Sequence, residues 1–84
     1  MSGYELLYAR RAVKDIESLD RVAQKQLAKK MTELAKDPQG QSRRLANSEL
    51  GTWRYRVGDY RVVFDIEGHE IIVLRVGHRR EIYR

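Results

Sequence analysis

The residues best suited to chemistry in this sequence are arginines that the pattern places together on one face of a β-hairpin. In the stretch from Trp53 to Phe64, WRYRVGDYRVVF, a Gly-Asp pair is flanked by alternating apolar and polar residues. This predicts a two-residue turn between antiparallel strands. The register then places Arg56 directly opposite Arg61, with Arg54 on the same face. Because like charges directly opposite each other destabilise a sheet, either the side chains splay into water or an anion lies between them.

A second basic segment, GHRREIY from Gly77 to Tyr83, continues the last predicted strand. In an antiparallel meander the end of that strand lies beside the start of the preceding one, so Arg79 is expected to approach Arg61. The sequence therefore predicts a cluster of up to four guanidinium groups with His78 and Tyr83, assembled from three strands. The alternatives are a solvated basic tail, a tyrosine packed on the sheet edge and a histidine that points away from the cluster.

Such a cluster repels itself unless an anion neutralises it, and its donors suit a phosphate. Arginines can also stabilise the extra charge of a phosphoryl-transfer transition state. RNA carries its own nucleophile, because a 2′-OH can attack the adjacent phosphorus without a metal ion. His78 could shuttle a proton and Tyr83 could orient the nucleophile or stack on a base. The residues alone predict a phosphate-binding sheet surface, with RNA cleavage as its elaboration.

The composition indicates a small basic protein of one domain, residues 1–84. The sequence contains no cysteine, and its two histidines belong to no His-x-x-x-His motif or acidic cluster, so neither a disulfide, a metal site nor another cofactor is expected. No apolar run is long enough for a membrane span, and we expect a soluble cytoplasmic protein. The net charge is +5, and from residue 43 onward the basic side chains are nine arginines and no lysine. This favours an acidic partner such as a nucleic acid or an acidic protein.

The remaining pattern predicts the elements that position these side chains. They are a strand over Tyr4 to Tyr8, a helix from Arg10 to about Ser18, a longer helix from Asp20 to Pro38, and strands over residues 53–57, 60–66 and 70–76. Asp20 is a candidate cap for the second helix, whose apolar stripe is Ala23, Leu27, Met31 and Leu34. A polar loop is expected from Asp37 to Thr52, with Leu45 inserted into the core.

The expected fold is a small single α+β domain of order β-α-α-β-β-β. Its N-terminal helical hairpin packs on one face of a mainly antiparallel four-stranded sheet. Trp53, Tyr55, Phe64 and their apolar alternates should face the helices. The other face should carry the arginines beside an uncovered apolar strip of Val63, Ile72, Leu74 and Val76, which suggests a binding surface.

Taken together, these motifs resemble the RelE family of toxins from bacterial and archaeal toxin-antitoxin systems. The resemblance rests on the helices ARRAVKDIESL and VAQKQLAKKMTELAKDP, the segment RRL, the hairpin WRYRVGDYRVVF and the terminal VLRVGHRREIY. It covers essentially the whole chain. The hairpin and the terminal segment in combination are fairly specific for the RelE/ParE superfamily, whereas neither half alone decides the assignment.

The resemblance implies a ribosome-dependent endoribonuclease that enters the A site, cuts the mRNA codon there through its 2′-OH, and inhibits translation. The residues that it implies for catalysis are Arg54, Arg56, Arg61, Arg79 and Tyr83, with His78 as a further candidate. Arg43, Arg44 and Arg80 are candidates for binding RNA phosphates. The implied partners are the 70S ribosome with its mRNA and a cognate RelB-like antitoxin with acidic, helical segments.

One departure from the best-known members concerns the proton acceptor. Those members carry a pair of lysines on the first hairpin strand, whereas this sequence has Arg54 and Arg56, which cannot release a proton and so cannot act as a base. The general base is therefore His78, Glu81 or no side chain. Two other functions remain open at this point: a ParE-like toxin that poisons DNA gyrase, and a catalytically inactive relative that binds RNA or ribosomes.

Overall fold

The structure, a computed structural model, describes residues 3–44, 53–78 and 80, which form three helices and five strands. The elements are β1 (Glu5–Tyr8), α1 (Arg10–Glu17), α2 (Arg21–Leu34), α3 (Pro38–Gln41), β2 (Arg43–Arg44), β3 (Trp53–Val57), β4 (Tyr60–Glu67) and β5 (Glu70–His78). The predicted Leu45 contact with the core lies outside the described residues.

The strands form one sheet in the order β1-β5-β4-β3-β2. β1 runs parallel to β5, and the remaining neighbours are antiparallel. This confirms the predicted α+β class and the mainly antiparallel sheet, but the sheet has five strands rather than four. The additional strand, β2, is a two-residue segment on the edge beside β3, within what the sequence pattern suggested was a loop.

Both predicted helices are present, although α2 ends at Leu34, before Pro38. The side chain of Asp20 caps α2 by accepting a hydrogen bond from the backbone N–H of Ala23 at 2.7 Å. The apolar stripe of α2 is buried and contributes Leu27, Met31 and Leu34 to the core cluster. Within the described part of the chain, no helix is long and apolar enough to cross a membrane.

Pro38 does not end α2 directly, because α2 stops at Leu34 and the proline begins the short helix α3. Asp37 caps α3 through a hydrogen bond from the Gly40 backbone N–H at 3.1 Å. Proline suits the first turn of a helix because its missing N–H is not needed there. α3 brings the chain from the helices round to β2 at the edge of the sheet.

The hairpin of β3 and β4 has the predicted register. Gly58 and Asp59 form the turn, and Gly58 has a φ of 59°, which a residue without a Cβ adopts readily. Arg56 lies opposite Arg61 and Arg54 lies opposite Val63. On the other face of the hairpin, Tyr55 and Phe64 are buried in the core cluster against the helices.

A β-bulge in β5 changes which residues share the arginine face. Val63 pairs with Arg75, but Phe64 pairs with Val73, so Leu74 is an extra residue in β5. As a result Val76 lies opposite Val62 and is buried in the core cluster. The placement of Val76 on the arginine face is therefore wrong, because the prediction assumed an uninterrupted alternation.

The apolar strip on the arginine face is also less open than expected. Val63 is fully buried, and Ile72 and Leu74 are partly buried. Val63 has an arginine as its cross-strand partner on each side, Arg54 in β3 and Arg75 in β5. The aliphatic stems of arginines can cover apolar surface of this kind. The accessible feature of this face is therefore its charge rather than an apolar strip.

Candidate nucleic-acid interface

Four arginines and one glutamine line a pocket of about 270 Å3 at the β2 side of the sheet. We call it the arginine pocket, and its lining residues are Gln41, Arg43, Arg54, Arg56 and Arg61. The residues come from four consecutive elements, α3, β2, β3 and β4.

Strand pairing places the four arginines in two opposed pairs. Arg43 lies opposite Arg54 across β2 and β3, and Arg56 lies opposite Arg61 across β3 and β4. Arg54 and Arg56 are two residues apart on β3, so they share a face about 6.8 Å from each other along the strand. The structure thus confirms the opposed pair predicted from the hairpin and adds a second one through β2.

The positive charge of the arginine pocket is not neutralised within the described residues. The ion pairs recorded there join Arg11 and Arg75 to Asp15 and Lys30 to Glu33, and none includes an arginine of the pocket. Arg56 donates from Nε to the Gly58 carbonyl at 3.2 Å. This hydrogen bond anchors the guanidinium group to the turn but adds no negative charge. Such an arrangement is suited to an anion that accepts hydrogen bonds from several guanidinium groups.

Space beside Arg61 comes from the neighbouring strand. The residue of β5 opposite Arg61 is Gly77, which has no side chain. An anion approaching Arg61 therefore meets no β5 side chain at that position of the sheet.

Gln41 is a lining residue that the sequence analysis did not select. Its Nε2 donates to the Glu33 carbonyl at 2.8 Å and to the Asp37 carbonyl at 3.1 Å. These bonds tie the end of α3 to the last turn of α2. No sequence signal identifies such a residue, because its partners are backbone carbonyls whose positions depend on how α2 and α3 meet.

His78 lies on the opposite face of the sheet from the arginine pocket. It pairs with Tyr60, and the two rings meet edge to face with centroids 6.0 Å apart. Its Nδ1 accepts a hydrogen bond from the Arg80 backbone N–H at 3.2 Å. Because Tyr60 alternates with Arg61 along β4, the structure does not bring His78 to the arginine pocket.

The other residues proposed from the sequence divide into two groups. Arg44 is exposed opposite Trp53 in β2, and Arg80 is exposed next to the end of β5, and neither lines the arginine pocket. Arg79, Glu81 and Tyr83 lie outside the described residues, so their predicted approach to Arg61 stays a prediction. The end of β5 does lie beside the start of β4, as that prediction requires.

Asp15 of α1 holds the same end of β5 from its free edge. Its Oδ2 accepts hydrogen bonds from Arg75 Nε at 2.9 Å and from the Val76 backbone N–H at 3.0 Å. The carboxylate is largely enclosed, with 13% of its side chain exposed. It therefore satisfies a strand edge that β1, which pairs only with residues 70–73 of β5, does not reach.

Comparison with known proteins gives a consistent family assignment. The family model for the ParE toxin of the parDE type II toxin-antitoxin system matches residues 6–83. No curated protein sequence matches the chain significantly.

Solved structures of toxins match the fold over nearly its whole length. The RelBE2 toxin-antitoxin complex of Mycobacterium tuberculosis matches with a TM-score of 0.84 and 24% identity, over 92% of this chain and 99% of that chain. The isolated RelE toxin of E. coli matches with a TM-score of 0.75 and 26% identity, over 95% and 90%. The RelB-RelE complex of Methanococcus jannaschii matches with a TM-score of 0.72 and 26% identity, over 92% and 94%.

Proposed function

Since the chain belongs to the family of ParE toxins of type II toxin-antitoxin systems, within the RelE/ParE superfamily, we propose that its toxic activity is the cleavage of mRNA in the ribosomal A site. The observation that carries this proposal is the arginine pocket. Its four guanidinium groups have no carboxylate partner among the described residues and lie in two opposed pairs on one face of the sheet. A phosphodiester backbone supplies the anions that such a surface lacks.

In the proposed reaction the scissile phosphate is bound between Arg56 and Arg61. The 2′-OH of the preceding nucleotide attacks the phosphorus in line, the bond from phosphorus to the 5′-oxygen breaks, and the products are a 2′,3′-cyclic phosphate and a 5′-OH. The arginines stabilise the additional negative charge of the transition state. The protein contributes chiefly by holding the RNA in the geometry that the ribosome presents.

The proton of the 2′-OH is proposed to pass to solvent rather than to a side chain of the arginine pocket, and the leaving 5′-oxygen takes up a proton from solvent to become the 5′-OH. The pocket's described lining is four arginines and a glutamine, and neither residue type accepts a proton at neutral pH. His78 lies on the other face against Tyr60. The role of Arg79 and Tyr83 in charge stabilisation and in orienting the nucleophile is carried over from the RelE resemblance as part of this proposal.

Mapping the 5′ ends of mRNA in a translating extract tests the proposed activity. We expect new ends within codons when the protein is added, none when ribosomes are omitted, and none with Arg56→Ala or Arg61→Ala. His78→Ala is the matched control on the opposite face and should retain cleavage. Suppose that the wild-type protein is added to the extract at a concentration that arrests growth in cells. Intact mRNA under that condition would contradict the proposal.

A second candidate is a toxin that poisons DNA gyrase. It is favoured by the ParE family match and by the lack of a proton-accepting side chain in the described lining of the arginine pocket. On this reading the arginines bind an acidic surface or DNA rather than a scissile phosphate. Induction of a DNA-damage response with unchanged mRNA ends would select it over the ribonuclease.

We also propose a cognate RelB-like antitoxin as the partner that silences the protein. The matching structures from Mycobacterium tuberculosis and Methanococcus jannaschii are complexes of toxins with antitoxins. An acidic segment of the antitoxin would neutralise the arginine pocket while it excludes RNA. We therefore also propose that the protein acts in the cytoplasm, at the translating ribosome.

A further inference from the structure

The carboxamide of Gln41 has one orientation that satisfies its surroundings. Both hydrogens of Nε2 are directed to backbone carbonyls, those of Glu33 at 2.8 Å and Asp37 at 3.1 Å. A carbonyl cannot donate, so the nitrogen must face these two acceptors and the oxygen Oε1 must be directed elsewhere. Oε1 is thus the end of the amide that remains for a ligand.

Gln41 lines the arginine pocket, and its Oε1 differs in kind from the side-chain groups of the other lining residues in the described part of the chain. The four guanidinium groups are donors only, whereas Oε1 is an acceptor. Among the described residues no arginine of the pocket donates to it, although four lie around the same space. The pocket therefore matches a ligand that presents an anion with a hydrogen-bond donor close beside it.

A nucleic acid strand presents that combination only when its sugar is ribose. Phosphate oxygens are acceptors, and the group next to them that can donate is the 2′-OH, which DNA lacks. We propose that Oε1 of Gln41 is directed into the arginine pocket and that Gln41 distinguishes RNA from DNA, with Oε1 accepting a hydrogen bond from the 2′-OH of the nucleotide whose phosphate the arginines bind. This inference deepens the proposed function and rests on it.

Gln41 acts here by binding and not as a base, because an amide oxygen does not take up a proton at neutral pH. A neutral hydrogen bond contributes about 0.5–1.5 kcal/mol, so the preference for ribose over deoxyribose should be about 2- to 10-fold. Because Nε2 is already anchored, the amide does not have to lose conformational freedom when the RNA binds. The preference for ribose should therefore be strong for a single neutral hydrogen bond.

Two substitutions separate the acceptor from the anchor. Gln41→Ala removes both, and it also loosens the junction of α3 with α2. Gln41→Lys keeps donors for the Glu33 and Asp37 carbonyls, removes the acceptor and adds a positive charge beside the arginines. Gln39→Ala is the matched control, because Gln39 lies in the same short helix, is exposed and does not line the pocket.

The experiment uses ribosomes programmed with an mRNA whose A-site codon is either all ribose or all deoxyribose. The ribose form is the substrate and gives KM, and the deoxyribose form is an uncleavable competitor that gives an inhibition constant, Ki. Where cleavage is slower than dissociation, the ratio of Ki to KM reports the preference for ribose. We expect a ratio of about 2 to 10 for the wild type and for Gln39→Ala, and of about 1 for both Gln41 variants.

Gln41→Lys is expected to bind both ribosome forms at least as tightly as the wild type does, so a lost preference cannot be ascribed to misfolding. A ratio that stays at the wild-type value in Gln41→Lys, or that is 1 in the wild type, would overturn the inference and leave the cleavage proposal standing. Failure of the wild type to cleave the ribose-programmed complex would overturn the proposed function, and this inference with it.

Discussion

The opposed arginines of the arginine pocket lower the stability of the free protein. Arg56 faces Arg61 and Arg43 faces Arg54, and neither pair has a carboxylate partner among the described residues. Directly opposed like charges destabilise a sheet. Their presence together in one pocket is best explained by an anionic ligand that binds between them, such as the RNA of the proposed cleavage or an acidic segment of the proposed antitoxin.

Neutralising one arginine of the hairpin pair should therefore stabilise the free protein while it weakens function. We expect Arg56→Gln to raise the free energy of unfolding by about 0.2–1 kcal/mol, because the cross-strand repulsion is removed. Urea unfolding at low ionic strength measures this change, and cleavage in the translating extract should fall in the same variant. Lys25→Gln, an equal change of charge at an exposed site on α2, is the control and should leave cleavage unchanged. Lower stability together with full activity in Arg56→Gln would contradict this explanation.

The residue scale also shows how far sequence reasoning reaches into the site. The Arg56–Arg61 opposition follows from the Gly58-Asp59 turn, since a two-residue turn fixes the register of every pair beyond it. The contribution of Arg43 depends on the pairing of β2 with β3 and is not encoded in any alternation of residues. Gln41 is harder still to predict from the sequence, because its side chain is held by two backbone carbonyls, one in α2 and one at the cap of α3.

At the scale of elements, α1 takes over from β1 as the neighbour of β5. β1 ends its pairing at Val73, and the Val76 N–H beyond it is bonded to Asp15 Oδ2 instead. Arg75 donates to the same oxygen and so links the bulged part of β5 to the helix. This contact anchors the end of β5, which the residues Arg79 and Tyr83 follow in the sequence.

Removing this carboxylate should destabilise the fold and loosen the end of β5. Asp15→Ala leaves the Val76 N–H and the Arg75 guanidinium without their acceptor, which should cost about 1–3 kcal/mol of unfolding free energy. Hydrogen exchange should become faster at Val76 but not at Ile66, which pairs with Ile71 at the other end of β5. Glu17→Ala, on an exposed position of the same helix, is the control and should change neither quantity. Unchanged exchange at Val76 in Asp15→Ala would show that the contact does not hold the strand.

A second contact between elements, that of β3 with α2, makes the stability of the fold depend on pH. Burial raises the pKa of the Tyr55 hydroxyl above its ordinary value of 10.0, with Lys30 lowering it and Glu33 raising it to smaller extents. The hydroxyl donates to the Lys30 carbonyl at 3.3 Å. Because the folded state holds this proton more tightly than the unfolded chain does, the stabilisation is complete below pH 10 and is lost as the pH rises through the folded-state pKa.

Urea unfolding at a series of alkaline pH values tests this dependence. Tyr55→Phe should be less stable at neutral pH by about 0.5–1.5 kcal/mol, because the hydrogen bond is lost. It should then lose less stability than the wild type between about pH 9 and pH 11, since it has no hydroxyl to ionise at this site. Some decline should remain from Tyr8, whose pKa is also raised by burial. Equal declines in the two proteins would show that Tyr55 does not contribute to the alkaline loss.

Element prediction succeeded where one period dominates and failed where both faces are apolar. The stripe of α2 and its Asp20 cap are unambiguous, and the alternation in β3 and β4 separates core from surface. The run IIVL from Ile71 to Leu74 is apolar on both faces, so the extra residue Leu74 is marked only by Arg75, which an uninterrupted alternation would place on the core face with Ile71 and Val73. α3 has too few residues to show a helical period, and only its Asp37 cap and Pro38 hint at it.

In the molecule as a whole, the two faces of the sheet have different roles. α1 and α2 cover one face and supply the core, while the other face carries the arginine pocket at its β2 side. Basic side chains of the helices, including Lys25 and Lys29, are exposed on the far side of the core. Net positive charge alone would attract nucleic acid to either side, so the salt dependence of binding must be assigned to particular residues.

The arginine pocket should account for most of the counterion release on binding single-stranded RNA. If all four pocket arginines contact phosphates, the slope of log K against log salt concentration should be about −3, since each contact contributes about −0.7. Titration of a fluorescent RNA oligonucleotide at several salt concentrations measures this slope. Arg43→Gln should reduce its magnitude by about 0.7, because one phosphate contact is lost.

Lys29→Gln, which removes the same charge from the exposed face of α2, should leave the slope nearly unchanged. Arg43 is the informative choice because it belongs to the pair formed only by β2, so its effect tests whether the sheet edge takes part in binding. Equal effects of the two substitutions would mean that RNA is held by the overall charge of the molecule. In that case the opposed arginines would require another ligand, and an acidic protein surface would be the one to examine.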